Sequence, residues 1–75
     1  MDGPFTTMQN GYEIRADGQL LEDGLYAPTL LICRDRGDTR EEHSIPIPGP
    51  EAFQTIARAR EHAFEHGMHW VKENS

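Results

Sequence analysis

Apolar positions along this chain follow a period of two through the first two thirds and a spacing of three and four after it. Tyr12 and Ile14 lie two apart within Met8 to Arg15, one face of a first strand. Ala16-Asp17-Gly18 follows as a turn signal, since Asp and Gly both tolerate positive φ. Gln19-Leu20-Leu21 reads as a short continuation, closed by a second Asp-Gly turn at Glu22-Asp23-Gly24. The clearest strand is Leu25 to Arg34, LYAPTLLICR. Leu25, Ala27, Thr29, Leu31 and Cys33 point one way; Tyr26, Pro28, Leu30, Ile32 and Arg34 point the other. Neither face is polar, so both need cover, and a single helix covers one. Pro28 has no donor for a ladder and belongs at an edge, a bulge or the beginning of the strand. Asp35-Arg36-Gly37-Asp38 predicts a hairpin loop with glycine at a left-handed position. A third strand returns through Arg40 to Ile47, with Ile45 and Ile47 on one face, until Pro46, Pro48 and Pro50 stop it.

The spacing then changes. Phe53, Ile56, Ala57, Ala63 and Phe64 form one stripe of a helix running from Pro50 to about His66. Proline suits a first helical turn, and Glu51 suits its positive dipole end. Gly67 stands where a C-terminal cap glycine belongs. Gln54, Thr55, Arg58, Glu61, His62 and Glu65 make the opposite, wet face. Beyond Gly67, the apolar Met68, Trp70 and Val71 predict a docked tail or a short final strand, anchored by the one tryptophan. Strands followed by a helix give an α+β domain, an antiparallel β-β-β-α sheet packed on one amphipathic helix. Residues 1–7 read as a loose terminus and 8–75 as the single domain.

Composition narrows the classes. Seventy-five residues hold one core, and a chain of this size buries about 60% of its unfolded surface, so its stability is marginal. The lone Cys33 forms no internal disulfide, which fits a reducing compartment. The N-terminal residues lack the basic-then-apolar pattern of a signal peptide. The longest purely apolar run, Leu30 to Cys33, is far below the roughly 20 residues of a membrane helix. The expectation is a cytoplasmic protein without membrane contact. Thirteen acidic against seven basic residues give a formal charge of −6. Arg34, Arg36 and Arg40 are interleaved with Asp35, Asp38, Glu41 and Glu42, so there is no basic patch for a phosphate backbone and no nucleic-acid partner is expected.

Three groups of residues are candidates for chemistry. His62 and His66, four apart, share a helix face in the spacing of paired metal ligands. His69 could fold back as a third ligand, with Glu65 adjacent. The competing and preferred reading places these histidines on the wet face, where partly positive side chains favour the helix C-terminus. Cys33 and His43, facing each other across the expected hairpin, are a candidate nucleophile and base, against a Cys33 that is a small buried hydrophobe. Asp17, Glu22 and Asp23 sit on turns and read as solvated charges, because a paired-carboxylate mechanism needs a cleft. No cofactor is expected.

Gly24 to Arg34, the loop DRGD, the helix FQTIARAREHAFEHG and the closing HWV together resemble small bacterial proteins of unknown function. The resemblance spans roughly residues 12 to 71 and implies the fold and a bacterial origin. Gly37-Asp38-Thr39-Arg40-Glu41-Glu42 also resembles a segment of HicB-type antitoxins, whose small domain packs a sheet on one helix. In that family the segment leads into the helix; here it leads into His43 to Pro48, read as strand. The strongest functional expectation comes from the two-faced strand. If Tyr26, Leu30 and Ile32 face away from the helix, they form an apolar interaction face; in the opposite register the face holds Leu31 and Cys33. Either points to a non-enzymatic protein that binds a protein partner or forms a homodimer. The alternatives are a small metal-binding domain on the C-terminal histidines and an antitoxin-like regulator.

Overall fold

The computed structural model describes residues 3–47 and 52–74. In chain order it contains β1 (Phe5–Gln9), β2 (Tyr12–Leu20), β3 (Tyr26–Arg36), β4 (Thr39–Ser44) and α1 (Ile56–Asn74). The strands form one antiparallel sheet ordered β1-β2-β3-β4, and α1 packs on one of its faces. The α+β class with a single C-terminal helix agrees with the sequence pattern. The sheet, however, has four strands, not three.

The extra strand comes from the N-terminus. Residues 5–7, expected to be loose, belong to β1 and pair with β2 through Phe5↔Ala16, Thr6↔Arg15 and Thr7↔Ile14. Asn10 and Gly11 make the turn, with φ of 51° and 83°. Two consecutive positive φ values match the twist of a two-residue hairpin, which is why Asn-Gly is favoured there. The single strand expected over Met8–Arg15 is thus folded in two. Asp17-Gly18, expected to turn, lies inside β2. A Cβ on Gly18 would stand 2.9 Å from the Cβ of Ala59. Close approach of the helix explains that glycine. The hairpin at Gly37 turns as the sequence predicts, with a positive φ of 70°.

Pro28 is the third residue of β3. Ile45 N–H donates to Leu30 O at 3.0 Å, and Tyr26 exchanges bonds of 2.7 and 2.8 Å with Phe53. Backbone groups alternate sides along a strand, so Pro28, between Tyr26 and Leu30, shares their direction away from β2. The last β3–β4 pair is Leu31↔Ser44. Among the described residues no strand asks Pro28 for a donor. Ile45 and Ile47 lie beyond β4 yet pack half-buried against the core. Pro48, Pro50 and Glu51, read as the strand's stop and the helix's first turn, lie outside the described residues.

The helix starts later and ends later than its pattern suggests. The Thr55 hydroxyl accepts the N–H of Arg58 at 3.2 Å and caps the first turn. Phe53 precedes the helix, in the bridge to Tyr26. Buried positions then recur every four residues at Ala59, Ala63, Gly67 and Val71, with Arg60 beside them. Ala57, expected in the stripe, is exposed. Gly67 is no cap. A Cβ there would meet Ile14 Cγ2 at 2.7 Å and Leu30 Cδ1 at 2.9 Å, so its missing side chain lets helix and sheet touch. Met68, Trp70 and Val71 therefore continue the helix and do not form a tail or a final strand.

The core beneath α1 consists of Tyr12, Ile14, Ala16, Leu30 and Ile32 from the sheet with Ala63 and Val71 from the helix. Trp70 packs edge-on against Tyr12, ring centres 5.6 Å apart, and lies 6.0 Å from His43. Arg60 is a buried charge, 6% exposed. Its Nε donates to Asp17 Oδ1 at 2.9 Å, tying the helix to β2.

Candidate functional site

Strand register decides which face is free. Leu30 is 4% exposed and Ile32 fully buried, both within the core under α1, and Tyr26 shares their side. The expected interaction face of Tyr26, Leu30 and Ile32 is therefore the covered one. Ile14 and Ala16 pair with Ile32 and Leu30, and their small or branched side chains form the floor on which the helix sits. The open face carries the opposite set, the second register the sequence allows.

That open face is mixed, not a continuous apolar sheet. One row across it reads Met8, Glu13, Cys33 and Glu42; the next reads Thr6, Arg15, Leu31 and Ser44. Cys33 is 1% exposed although no described helix covers it. Arg40 reaches across it from β4 to Glu13 on β2, Nη2 to Oε1 2.5 Å, and its Nη1 also meets Asp35 at 3.4 Å. The Glu13 carboxylate, and after it Cys33, hold Arg40 more firmly protonated than an ordinary arginine. Arg36 and Glu41 form a further cross-strand pair at 2.6 Å. These exposed pairs contribute little stability each. The Arg40 pairs close the surface over the thiol, whereas Arg36 and Glu41 lie on the opposite face of the sheet. The alternating charges of β3 and β4 were the sequence signal for this bridge, legible only once the hairpin register is known.

Beside the bridge the surface opens into a groove of about 490 Å³. Thr29 and Leu31 of β3 line it, with Ile45, Pro46 and Ile47 along one side and Pro4 at the β1 end. Arg15 and Asp17 supply its charged groups. Asp17 is already engaged, accepting from Arg60 Nε at 2.9 Å and from the Gly18 N–H at 2.8 Å. Leu31 is half-buried. It is the largest apolar side chain of β3 on this face, and it sits centrally, between Arg15 and Ser44.

The other candidates are separated by the fold. Cys33 lies on the open face, whereas His43 pairs with Ile32 and stands beside Trp70 on the helix side. The sheet lies between them, and the nucleophile–base pair does not form. His62 packs against Phe53, ring centres 5.3 Å apart, and His69 Nε2 is 2.8 Å from Glu73 Oε1 one turn further on. His66 is half-buried on the same helix. With Gly67 inside the helix, His69 does not fold back toward His62 and His66. Among the described residues no group of three or more His, Cys, Asp or Glu side chains is placed to hold a metal ion. No described helix is long and apolar enough to cross a membrane.

Comparison with protein-family models, with curated proteins and with solved structures finds no significant match. The geometry of this chain alone carries the functional reading.

Proposed function

We propose that this chain is a non-enzymatic protein-interaction domain, which associates with a partner protein or a second copy of itself through sheet surface that α1 leaves uncovered. The observation that carries the reading is the groove beside Leu31. It joins apolar walls at Ile45, Pro46 and Ile47 to a half-buried leucine on a face no described element covers. Apolar concavities with few polar groups are default binding sites. Among the described residues the one carboxylate in the lining, Asp17, is already paired with Arg60, which favours recognition over catalysis.

Leu31→Glu tests this. The side chain lies away from the α1 core, so the variant should melt close to the parent. Parent and variant are each used as bait in an extract of the native cell, and each is weighed by sedimentation. The expected result is loss, in the variant, of a protein recovered by the parent or of self-association. Identical recovery and identical mass, with both proteins folded, would overturn the reading.

A further inference from the structure

The two edges of the sheet are built differently. β4, TREEHS, is guarded by Arg40, Glu41 and Glu42. β1, FTTMQ, carries no charge at all, whereas β2, β3 and β4 carry three charged residues each. Natural edge strands are blunted by charge, proline or a covering element. Among the described residues β1 has β2 as its one neighbour in the sheet, and Pro4 stands just before it. Its side chains add to the exposure. Among the described residues four large hydrophobics are exposed, and two of them, Phe5 at 39% and Met8 at 64%, are on β1.

The turn fixes which backbone groups face outward. In an antiparallel ladder, pairs that exchange both hydrogen bonds alternate with pairs that exchange none. Gln9↔Tyr12 closes the two-residue turn at Asn10-Gly11 and is a bonded pair. Thr7↔Ile14 and Phe5↔Ala16 are then bonded as well. Thr6 and Met8 direct their N–H and C=O groups away from β2.

From this geometry we infer that β1 pairs antiparallel with β1 of a second copy of the chain, about a two-fold axis at Thr7, joining two sheets into one of eight strands. Thr6 then lies opposite Met8 of the second copy, and Met8 opposite its Thr6. Both outward donors and both outward acceptors of each chain are satisfied by four hydrogen bonds. Shifting the register by centring on Thr6 would place Met8 opposite Pro4, which has no N–H to give. Thr7 faces its own counterpart on the helix side, and Phe5 gains Gln9 of the second copy as a neighbour.

The charge distribution argues for a second copy as occupant. Each chain carries a formal −6, so two copies approach most easily along a stretch without charge. β1 is that stretch. Growth beyond two is disfavoured because the far edge, β4, is charged; the pairing is isologous and closes on itself. A five-residue edge buries less than the roughly 1,200 Å² of a stable specific interface. The dimer is accordingly weak and concentration-dependent, and it strengthens with salt, which screens the like charges. The inference rests on the reading of the chain as one that associates through its sheet, but it uses the edge and leaves the Leu31 groove free.

Thr6→Pro is the decisive variant. It removes an outward N–H and leaves the bonded pairs with β2 intact, and proline is tolerated at strand edges. Sedimentation across the micromolar range should show the parent associating, Thr6→Pro associating at least about tenfold more weakly, and Leu31→Glu associating like the parent. Oxidation supplies a second measurement that does not depend on Thr6→Pro folding. In a non-bonded antiparallel pair the Cα atoms are about 4.5 Å apart, within disulfide reach. Thr7→Cys should cross-link to its counterpart, and Met8→Cys, diagonally offset from its own counterpart, should not. A parent that stays monomeric throughout, a folded Thr6→Pro that associates like the parent, or cross-linking through Met8→Cys but not Thr7→Cys would each overturn the edge pairing. Association lost in Leu31→Glu but kept in Thr6→Pro would transfer self-association to the groove. Loss of a captured partner in Leu31→Glu bears on the groove alone.

Discussion

Gly67 concentrates the conflict between local and tertiary demands at one residue. A glycine inside a helix costs about 1 kcal/mol relative to alanine, yet a Cβ here would stand 2.7 Å from Ile14 Cγ2. Ile14 is fully buried, and a branched side chain on a strand has little freedom to yield. Overpacking costs about 1–3 kcal/mol, so Gly67→Ala should be destabilising despite its better helix propensity, by up to about 2 kcal/mol net. A cap glycine would predict the same sign, so a double-mutant cycle is needed. Ile14→Ala alone should cost about 2–5 kcal/mol through its cavity. Combined with Gly67→Ala it should cost less than the sum, because the new methyl fills part of that space. Strict additivity in urea denaturation would show that Gly67 does not press on Ile14. The Arg60–Asp17 ion pair, buried on the arginine side alone, offers a second asymmetry at this scale. Asp17→Ala leaves Arg60 buried without its partner; Arg60→Met leaves a carboxylate whose side chain is 41% exposed. The first should cost more, about 2–3 kcal/mol, below the full penalty of a wholly buried pair. Equal losses in the two variants would mean that the charge of Arg60 is hydrated.

At the level of elements, the helix was legible as a helix but not in its extent. Its spacing identifies an amphipathic segment, and Phe64 and Ala63 do face the sheet side. The stripe that makes contact is Ala59, Ala63, Gly67 and Val71, mostly small residues that a search for bulky apolar positions passes over. In sequence Gly67 looks like a stop because helix-ending glycines and close-contact glycines look alike in one dimension. Asp17-Gly18, a turn signal in sequence, likewise marks close contact, and Asn10-Gly11, the true hairpin turn, lies within a segment whose alternation suggests one strand. Which face of β3 the helix would cover could not be read from a strand apolar on both sides. Small partners of the helix had to be matched to Ile14 and Ile32 first. Trp70 supplies the test of the longer helix. Packed at 5.6 Å against Tyr12, it should emit blue-shifted in the folded protein and move red on unfolding. Truncation after Gly67 removes Trp70 and the fully buried Val71 and should abolish cooperative melting by circular dichroism. A truncated chain melting like the parent would show that the last two turns do not hold the core.

For the whole molecule, the balance of charge sets a response to salt. Thirteen acidic residues face seven basic ones, and Arg15, Arg36, Arg40 and Arg60 are already engaged in ion pairs. Most of the remaining acids lack a cation close by in sequence, and the molecule measures 42 × 25 × 18 Å. At about 0.01 M salt the screening length is about 30 Å, longer than the two shorter dimensions, so acids repel across the fold; at about 0.15 M it falls to about 8 Å. Salt therefore removes a destabilising self-repulsion. It also weakens the Arg40 network, whose exposed pairs each contribute little. The repulsion acts among many charges and the pairs are few, so repulsion should dominate. A net gain of about 0.5–1 kcal/mol, at 4–8 °C per kcal/mol for a domain of this size, should raise the melting temperature by about 2–8 °C between those two salt concentrations. The measurement is a Trp70 fluorescence melt at a dilution where sedimentation gives the mass of one chain, which separates folding from association. A melting temperature that falls with salt would mean that the bridges over Cys33 outweigh the net charge, and Arg40→Gln should then flatten the dependence.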